Sequence, residues 1–186
     1  TATPEIYTLS LHDALPIYGA GAALFGPTGS RDGAGILRVQ LFSQGEHTDI
    51  LGCKGGGTAF RKDMGCATGE LDRIYMDGPT VFRLAVEGCC NSIRKVLDAE
   101  GLAPSDLARI IPHQANFRII DKIARTFDYP MDRIEVNLDR HGNTAAASIP
   151  IALNEAMTSG RAQPGDLIML VAAGAGFNSG AVLLRI

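Results

Sequence analysis

The sequence contains no tryptophan, and aromatic residues make up only 6% of its 186 residues. No apolar run reaches the roughly 18 residues that a membrane-spanning helix needs. The first residues lack the basic start and continuous apolar core of a signal peptide. A net charge of −3 gives no general reason to expect nucleic-acid binding. The composition therefore favours a globular, cytoplasmic protein that binds neither a membrane nor a nucleic acid.

Cysteine and histidine are too sparse and too scattered for a disulfide scaffold or a metal site. No C-x-x-C pair is formed by the four cysteines, Cys53, Cys66, Cys89 and Cys90. No i, i+4 spacing is formed by the four histidines, His12, His47, His113 and His141. We therefore expect reduced, mostly buried thiols and no metal.

Apolar strands that alternate with amphipathic helices predict a layered α/β domain. Strands are predicted at 20–25, 36–42, 107–112, 134–136, 167–172 and 180–186, and helices at 79–100, 117–127 and 145–159. The glycine-rich residues 43–73 are predicted to form a long surface excursion. This order favours a largely parallel central sheet, to which the last two strands can add in antiparallel orientation.

The first seventeen residues, TATPEIYTLSLHDALPI, do not fit this pattern. They show no period that leads into the first predicted strand, and LSLHDALPI resembles translated sequencing adapter. A natural, poorly ordered N-terminal arm is the alternative. We predict that residues 1–17 are a non-native or disordered segment and that the domain comprises residues 18–186.

Two polar motifs stand where the chain enters helices. His113 directly follows a predicted buried strand, and Asn143 follows Gly142 ahead of the helix at 145–159. Active-site groups of open α/β sheets gather at the carboxyl ends of strands, so we expect these two side chains to be neighbours. A neutral imidazole and a carboxamide can both donate to a carbonyl oxygen that gains negative charge. The residues alone leave open that His113 merely caps a helix and Asn143 merely forms a turn.

Small side chains follow the second motif, since residues 145–148 are Ala-Ala-Ala-Ser. Such residues would leave room for a long, thin substrate to approach the backbone and the positive end of the helix.

Three segments resemble the C-terminal half of β-ketoacyl-acyl carrier protein synthase III: PHQANFRIIDKIARTF, LDRHGNTAAASIPIALNEA and GDLIMLVAAGAGFNSGAVLLRI. The similarity runs from about Gly19 to Ile186 and includes GAGAALFG and YMDGPTVFRLAV. It implies a thiolase-like fold, of which this chain is the C-terminal repeat of a duplicated α/β unit with a mixed, mostly parallel central sheet.

The resemblance also implies an activity. Family members are acyltransferases that condense an acyl-CoA starter with malonyl-acyl carrier protein, with loss of carbon dioxide, to initiate fatty acid synthesis. The expected substrates are thus acyl-CoA and malonyl-acyl carrier protein, with no cofactor, and the complete enzyme is expected to be a cytoplasmic homodimer.

Roles for individual residues follow from the same resemblance. His113 and Asn143 match the pair that donates to the malonyl thioester oxygen, and the backbone N–H of Ala175 matches an oxyanion donor for the acyl-cysteine carbonyl. The residues that match contacts to the carrier protein or CoA are Gln114, Ala115, Asn116, Phe117, Arg118, Arg83 and Arg125.

A basic helix face supports the carrier-protein assignment. Arg118, Lys122 and Arg125 recur at i, i+4 and i+7, which places them on one face of the predicted helix. Cations in that arrangement would attract an acidic carrier protein. A merely solvated charged stripe remains the alternative for Arg118 and Lys122.

The chain departs from the family in lacking the nucleophile. No cysteine matches the alanine- and glycine-rich context of the family's active cysteine, which lies in the N-terminal half, so this chain alone is predicted to be inactive. A truncated gene model, an artefactual fusion at Ile17/Tyr18 and a natural partial protein that binds the carrier protein or a dimer partner remain open. A secondary-metabolite relative that uses other acyl-CoA starters also remains open. Ala173 stands where relatives often carry phenylalanine and Pro79 where some carry asparagine, which leaves the acyl-chain preference and the pantetheine contacts open.

Overall fold

Helices and strands occupy most of the chain from residue 35 onward. The computed structural model describes residues 19–24, 33–53, 55 and 74–186. The described strands are β1 (Gly35–Ser43), β2 (Leu51–Cys53), β3 (Ile74–Met76), β4 (Arg109–Pro112), β5 (Leu167–Gly174) and β6 (Asn178–Arg185). The described α-helices are α1 (Gly78–Glu100), α2 (Phe117–Thr126), α3 (Leu138–His141) and α4 (Ser148–Thr158). The segment 1–17, predicted to be non-native or disordered, lies outside the described residues, as does the fusion site at Ile17/Tyr18.

Four strands form one mixed sheet in the order β1-β6-β5-β4. β4 and β5 run parallel, whereas the pairs β5–β6 and β1–β6 are antiparallel. The expected mixed sheet is confirmed, but the expectation of a mostly parallel sheet is wrong for the described residues. The reason is the turn at 175–177, which is too short for a parallel crossover and makes β5 and β6 a hairpin.

Two predicted strands do not form as such. The predicted strand at 134–136 is reduced to one parallel bridge, between Ile134 and Ile110. In the first predicted strand, the described residues 20–24 form neither helix nor strand. β2, inside the predicted surface excursion, pairs with β3, which directly follows that excursion, as a small antiparallel ribbon.

Helix α1 begins and ends at residues that favour helix starts and helix ends. The Asp77 side chain accepts a hydrogen bond from the Thr80 N–H, and Pro79 occupies the first turn, where its missing N–H is not needed. Gly101 ends the helix in the left-handed conformation with φ +64°. The helix approaches β6 closely at Gly88, because a Cβ there would lie 2.7 Å from Ser179 Oγ.

The sheet is covered on both faces. Ile110 and Met169 pack with residues of α1 and α2, whereas Ile111 and Ile168 pack with Ala152 of α4. Successive strand residues point to opposite faces, so β4 and β5 contribute to both clusters. The resulting three layers place the carboxyl ends of β4 and β5 between the helices of the two faces.

Candidate active site

His113 stands directly after β4, at the carboxyl end of that strand. Its backbone N–H donates to the carbonyl of Val171 in β5 at 2.8 Å, which extends the parallel pairing one residue beyond Pro112. β5 ends three residues later at Gly174, and Ala175 begins the turn to β6. His113 and Ala175 therefore belong to the same edge of the sheet.

The imidazole of His113 is held by the first residue of α4. Its Nδ1 lies 2.6 Å from Ser148 Oγ, thirty-five positions further along the chain. Burial lowers the pKa of the His113 imidazole below its ordinary value, so the ring is neutral at pH 7. A neutral ring keeps one N–H donor, which suits it to stabilise a developing oxyanion.

Asn143 lies in the loop that leads into α4. Its side chain is buried, with 9% exposure, and its Oδ1 accepts a hydrogen bond from the Ala145 N–H at 3.0 Å. No hydrogen bond within the described residues uses its Nδ2 amide. Gly142, immediately before it, has φ +66°, a conformation that favours glycine. The loop thus fixes the carboxamide by its oxygen and keeps its donor available.

Both predicted donors are tied to the start of α4. His113 bonds to Ser148, and Asn143 precedes Ser148 by five residues in the same loop. The stretch between Asn143 and Ser148 includes Ala145 and Ala146, which are exposed, and Ala147, which is buried. The convergence of the imidazole and carboxamide donors on one substrate atom stays a prediction.

Gln114 lies in the loop that follows β4, and its buried side chain connects this loop to the segment that leads into α3. Its side-chain amide donates to the carbonyls of Pro112 and Glu135 at 2.8 and 3.0 Å, and its Oε1 accepts from the Asn137 N–H at 3.0 Å. The residue is completely buried. Every polar atom of the Gln114 side chain is thus engaged internally, and a contact of this residue with a carrier protein stays a prediction.

Glu155 of α4 anchors the same loop from the other side. Its carboxylate accepts from Asn137 Nδ2 at 3.1 Å and Arg140 NH2 at 2.8 Å, and lies 2.7 Å from His141 Nε2. Burial raises the pKa of the Glu155 carboxyl, but the hydrogen bonds from His141, Asn137 and Arg140 outweigh it, so the net pKa is lowered. The segment that precedes Asn143 is thus bound to α4 by a charged cluster.

Comparison with known proteins identifies this architecture. The family described as 3-oxoacyl-[acyl-carrier-protein] synthase III C terminal matches residues 97–186. A β-ketoacyl-[acyl-carrier-protein] synthase III from Novosphingobium aromaticivorans is 41% identical over 152 residues, covering 82% of this chain and 44% of the relative. One from Rhizobium meliloti is 41% identical over 170 residues, covering 90% of this chain and 50% of the relative.

Solved structures of the same enzyme type share the fold. The synthase III of Pseudomonas aeruginosa PAO1 superposes with a TM-score of 0.75 at 37% identity, over 85% of this chain and 48% of that chain. The synthase III of Aquifex aeolicus VF5 gives 0.74 at 36% identity, over 86% and 47%. The predicted thiolase-like fold is confirmed. The chain spans about half the length of the curated relatives it matches.

The first turn of α2 carries the remaining predicted contacts of the synthase III segment. Asn116 caps the helix, since its Oδ1 accepts from the Arg118 N–H at 2.8 Å. Phe117 is half exposed and the Arg118 side chain is exposed, whereas Ala115 is partly buried. Phe117 and Arg118 are therefore accessible to a protein partner.

The other predicted basic residues are already paired. Arg125 bonds to Asp121 at 2.8 Å, and Arg83 to Glu87 at 3.2 Å. In the described part of the chain, no ion pair involves Arg118. Arg118 therefore carries the least compensated charge among the predicted arginine contacts.

Ala175 lies exposed in the turn between β5 and β6, where its carbonyl accepts from Asn178 Nδ2 at 2.8 Å. The turn contacts both helices of one face, because the buried Phe177 packs with Leu84 of α1 and Ile119 of α2. The ends of α1 and α2 that carry Arg83 and Arg118 therefore meet beside this turn.

Two of the described cysteines are buried and are poor nucleophiles. Burial and the neighbouring Cys90 raise the pKa of the Cys89 thiol to about 12, and burial also raises that of Cys90. Cys53 is exposed, whereas Cys89 and Cys90 are buried, in line with the expectation of mostly buried thiols, and Cys66 lies outside the described residues. Among described residues, no three His, Cys, Asp or Glu side chains group as metal ligands, and no helix is long and apolar enough to cross a bilayer.

Ser148 is the site residue that the sequence analysis missed. It was grouped with the preceding alanines as a position without bulk, whereas its hydroxyl binds His113. In the sequence, Ser148 is distinguished only as the one hydroxyl residue after three alanines at the start of the predicted helix.

We predict that the His113 imidazole titrates at a lower pH in the folded chain than in the urea-unfolded chain. The unfolded state binds the proton more readily, so this burial contributes stability above the ordinary pKa of about 6.5, and that stability is lost as the pH falls through the folded pKa. NMR titration of labelled histidine measures both states. A His113 pKa equal in the two states would contradict the prediction.

We predict that Glu155→Gln lowers the free energy of unfolding by about 1 kcal/mol at pH 7, because the hydrogen bonds it accepts lose their charge. Since the folded pKa of Glu155 is lowered, its contribution is present above the carboxyl's ordinary pKa and fades as the pH falls, so the difference from wild type shrinks toward pH 4. Urea unfolding at both pH values measures this. Glu87→Gln, which removes an exposed ion pair, is the matched control and should change stability by less than about 0.5 kcal/mol. Equal losses in the two variants would contradict a special role for the cluster.

Proposed function

We propose that this chain supplies the malonyl-decarboxylating part of a β-ketoacyl-acyl carrier protein synthase III, an acyltransferase that performs a decarboxylative Claisen condensation. The observation that carries the proposal is the contact of 2.6 Å between His113 Nδ1 and Ser148 Oγ at the carboxyl end of β4. Burial lowers the pKa of this imidazole, which favours the neutral form. The family match of residues 97–186 and the synthase III relatives support the same activity.

In the proposed reaction, His113 and Asn143 stabilise an enolate. When malonyl-acyl carrier protein loses carbon dioxide, the electron pair of the broken C–C bond moves toward the thioester carbonyl, whose oxygen becomes negative. The imidazole N–H and the Asn143 Nδ2–H donate to that oxygen. The carbanion then attacks the acyl carbon of an acyl-cysteine, whose carbonyl oxygen receives a bond from the Ala175 N–H, and the cysteine thiolate leaves.

The acyl-carrying cysteine belongs, in this proposal, to chain that corresponds to the other half of the relatives. The buried Cys89 and Cys90 are unsuited to the task because their thiols stay protonated at neutral pH. We therefore expect no condensation from these 186 residues alone. The complete enzyme is proposed to start fatty acid synthesis from an acyl-CoA, without a cofactor, as a cytoplasmic homodimer.

A non-catalytic protein that binds the acyl carrier protein is the second candidate. The exposed Arg118 and Phe117 favour it, because a cation and an apolar ring at the start of α2 suit an acidic protein partner even without a nucleophile. Turnover in the presence of the missing half separates the two candidates.

We predict that His113→Ala and Asn143→Ala each slow malonyl decarboxylation by about 10²- to 10³-fold, which is about 2.7–4 kcal/mol. The assay uses a chimera in which residues 19–186 replace the corresponding half of the Pseudomonas aeruginosa relative. Transfer of the acyl group to the cysteine should be affected less, because neither donor takes part in that step.

His47→Ala is the matched control for the chimera, since His47 lies in a 3-10 segment outside the proposed site. It should decarboxylate at the unsubstituted rate. Normal decarboxylation by both the His113 and the Asn143 variants would refute the proposed roles.

We predict that Arg118→Glu weakens binding of acyl carrier protein to this chain at least about tenfold, and that added salt weakens the unsubstituted complex, because the attraction is between opposite charges. Calorimetric titration at two salt concentrations measures both effects. Lys95→Glu makes the same charge change at an exposed position of α1 and should leave affinity nearly unchanged. Retained affinity in the Arg118 variant would exclude this surface as the docking site.

A further inference from the structure

Ser148, the first residue of α4, is buried, and its hydroxyl has two hydrogen-bond partners. Its side chain is 1% exposed, and its Oγ lies 2.6 Å from His113 Nδ1. The same oxygen accepts a hydrogen bond from the Gln114 N–H at 3.3 Å. The hydroxyl is therefore shielded from water and has two partners on one loop.

The hydrogen atoms of this group can be assigned from its partners. A serine hydroxyl has one hydrogen to donate and two lone pairs to accept with. The Gln114 N–H can only donate, so it occupies one lone pair. If His113 Nδ1 also carried a hydrogen, the Ser148 hydroxyl would accept twice, and its own hydrogen would be buried without an acceptor among the described residues.

The alternative assignment gives a partner to the Ser148 hydroxyl, to His113 Nδ1 and to the Gln114 N–H. The Ser148 hydroxyl donates to an unprotonated Nδ1, accepts from Gln114, and leaves no buried donor unpaired. An unsatisfied buried donor costs about 1–3 kcal/mol, so this arrangement is strongly preferred over its tautomer. In a neutral imidazole whose Nδ1 is unprotonated, the ring hydrogen lies on Nε2.

We propose that Ser148 is a positioning residue that donates to His113 Nδ1 and thereby keeps the imidazole hydrogen on Nε2. This inference rests on the proposed function for its catalytic meaning, since Nε2 would then be the atom that donates to the thioester oxygen. The hydroxyl also opposes protonation of the ring, because a second ring hydrogen at Nδ1 would displace the Ser148 hydrogen from its acceptor.

The test is the tautomer of His113 in the 186-residue chain, read by long-range proton–nitrogen NMR on protein labelled with ¹⁵N-histidine. Protonated and unprotonated ring nitrogens have well-separated shifts. We expect the Nε2–H form in the unsubstituted chain. The Nδ1–H form there would overturn the proposal without recourse to any variant.

Substitutions of Ser148 distinguish an effect of its hydroxyl on the His113 tautomer from an effect of its packing. Ser148→Ala should give a mixture of tautomers, and Ser148→Thr, which restores a hydroxyl, should recover the Nε2–H form. Ser92→Ala is the matched control, because Ser92 is also fully buried and its Oγ donates to the Gly88 carbonyl at 2.8 Å, within α1. An unchanged tautomer in Ser148→Ala, or the same change in Ser92→Ala, would overturn the proposal.

Activity of the Pseudomonas chimera distinguishes this inference from the proposed function. Ser148→Ala should lower kcat for decarboxylation at least about tenfold with little change in KM, and Ser148→Thr should restore most of it. An inactive chimera with an Nε2–H tautomer in the isolated chain would count against the proposed function alone. An active chimera unaffected by Ser148→Ala would count against the positioning role alone.

Discussion

The parallel pairing of β4 with β5 is the constraint from which the site's geometry follows. The His113 N–H continues that pairing by bonding to the Val171 carbonyl, so the first residue after β4 remains in register with β5. An imidazole on a free loop would sample many positions, whereas this one starts from a backbone fixed at its own amide. The hairpin that follows β5 brings Ala175 to the same edge.

Hydrogen bonds from polar side chains then fix the position of the second loop, which begins at Asn137. Gln114 spans from the end of β4 to the Asn137 N–H, and Glu155 fixes the other side of that loop to α4. The Gln114 bonds lie in the protein's low-dielectric interior, where an unsatisfied partner would be costly, whereas the Glu155 bonds are partly exposed. The buried glutamine therefore holds the two loops together.

Local patterns in the sequence were enough to predict much of this fold. The bounds of α1 and α2 follow from apolar periodicity and from Asn116 and Gly101 as terminal residues, because those signals act within a few residues. The sheet's orientation was less accessible, since two of its three pairings involve β6, whose partners are set by a short turn and by packing. The hydrogen bonds made by the Gln114 and Ser148 side chains were not predicted from the sequence. Gln114 and Ser148 owe their roles to residues 21 to 35 positions away, and nothing in their local context distinguishes a buried polar residue from an exposed one.

The neutrality of His113 matters for the kind of catalysis the site can support. In the proposed reaction, an imidazolium would attract the malonyl carboxylate as strongly before decarboxylation as during it, and binding the ground state equally well does not speed the chemical step. A neutral N–H interacts weakly with the thioester carbonyl and more strongly once the oxygen carries charge, so its stabilisation grows along the reaction. Burial, which lowers the pKa of His113, and a fixed hydroxyl on Nδ1 both preserve that neutral donor. The same contacts that make the histidine part of the protein's interior thus suit it to a reaction in which charge appears on the substrate and not on the enzyme.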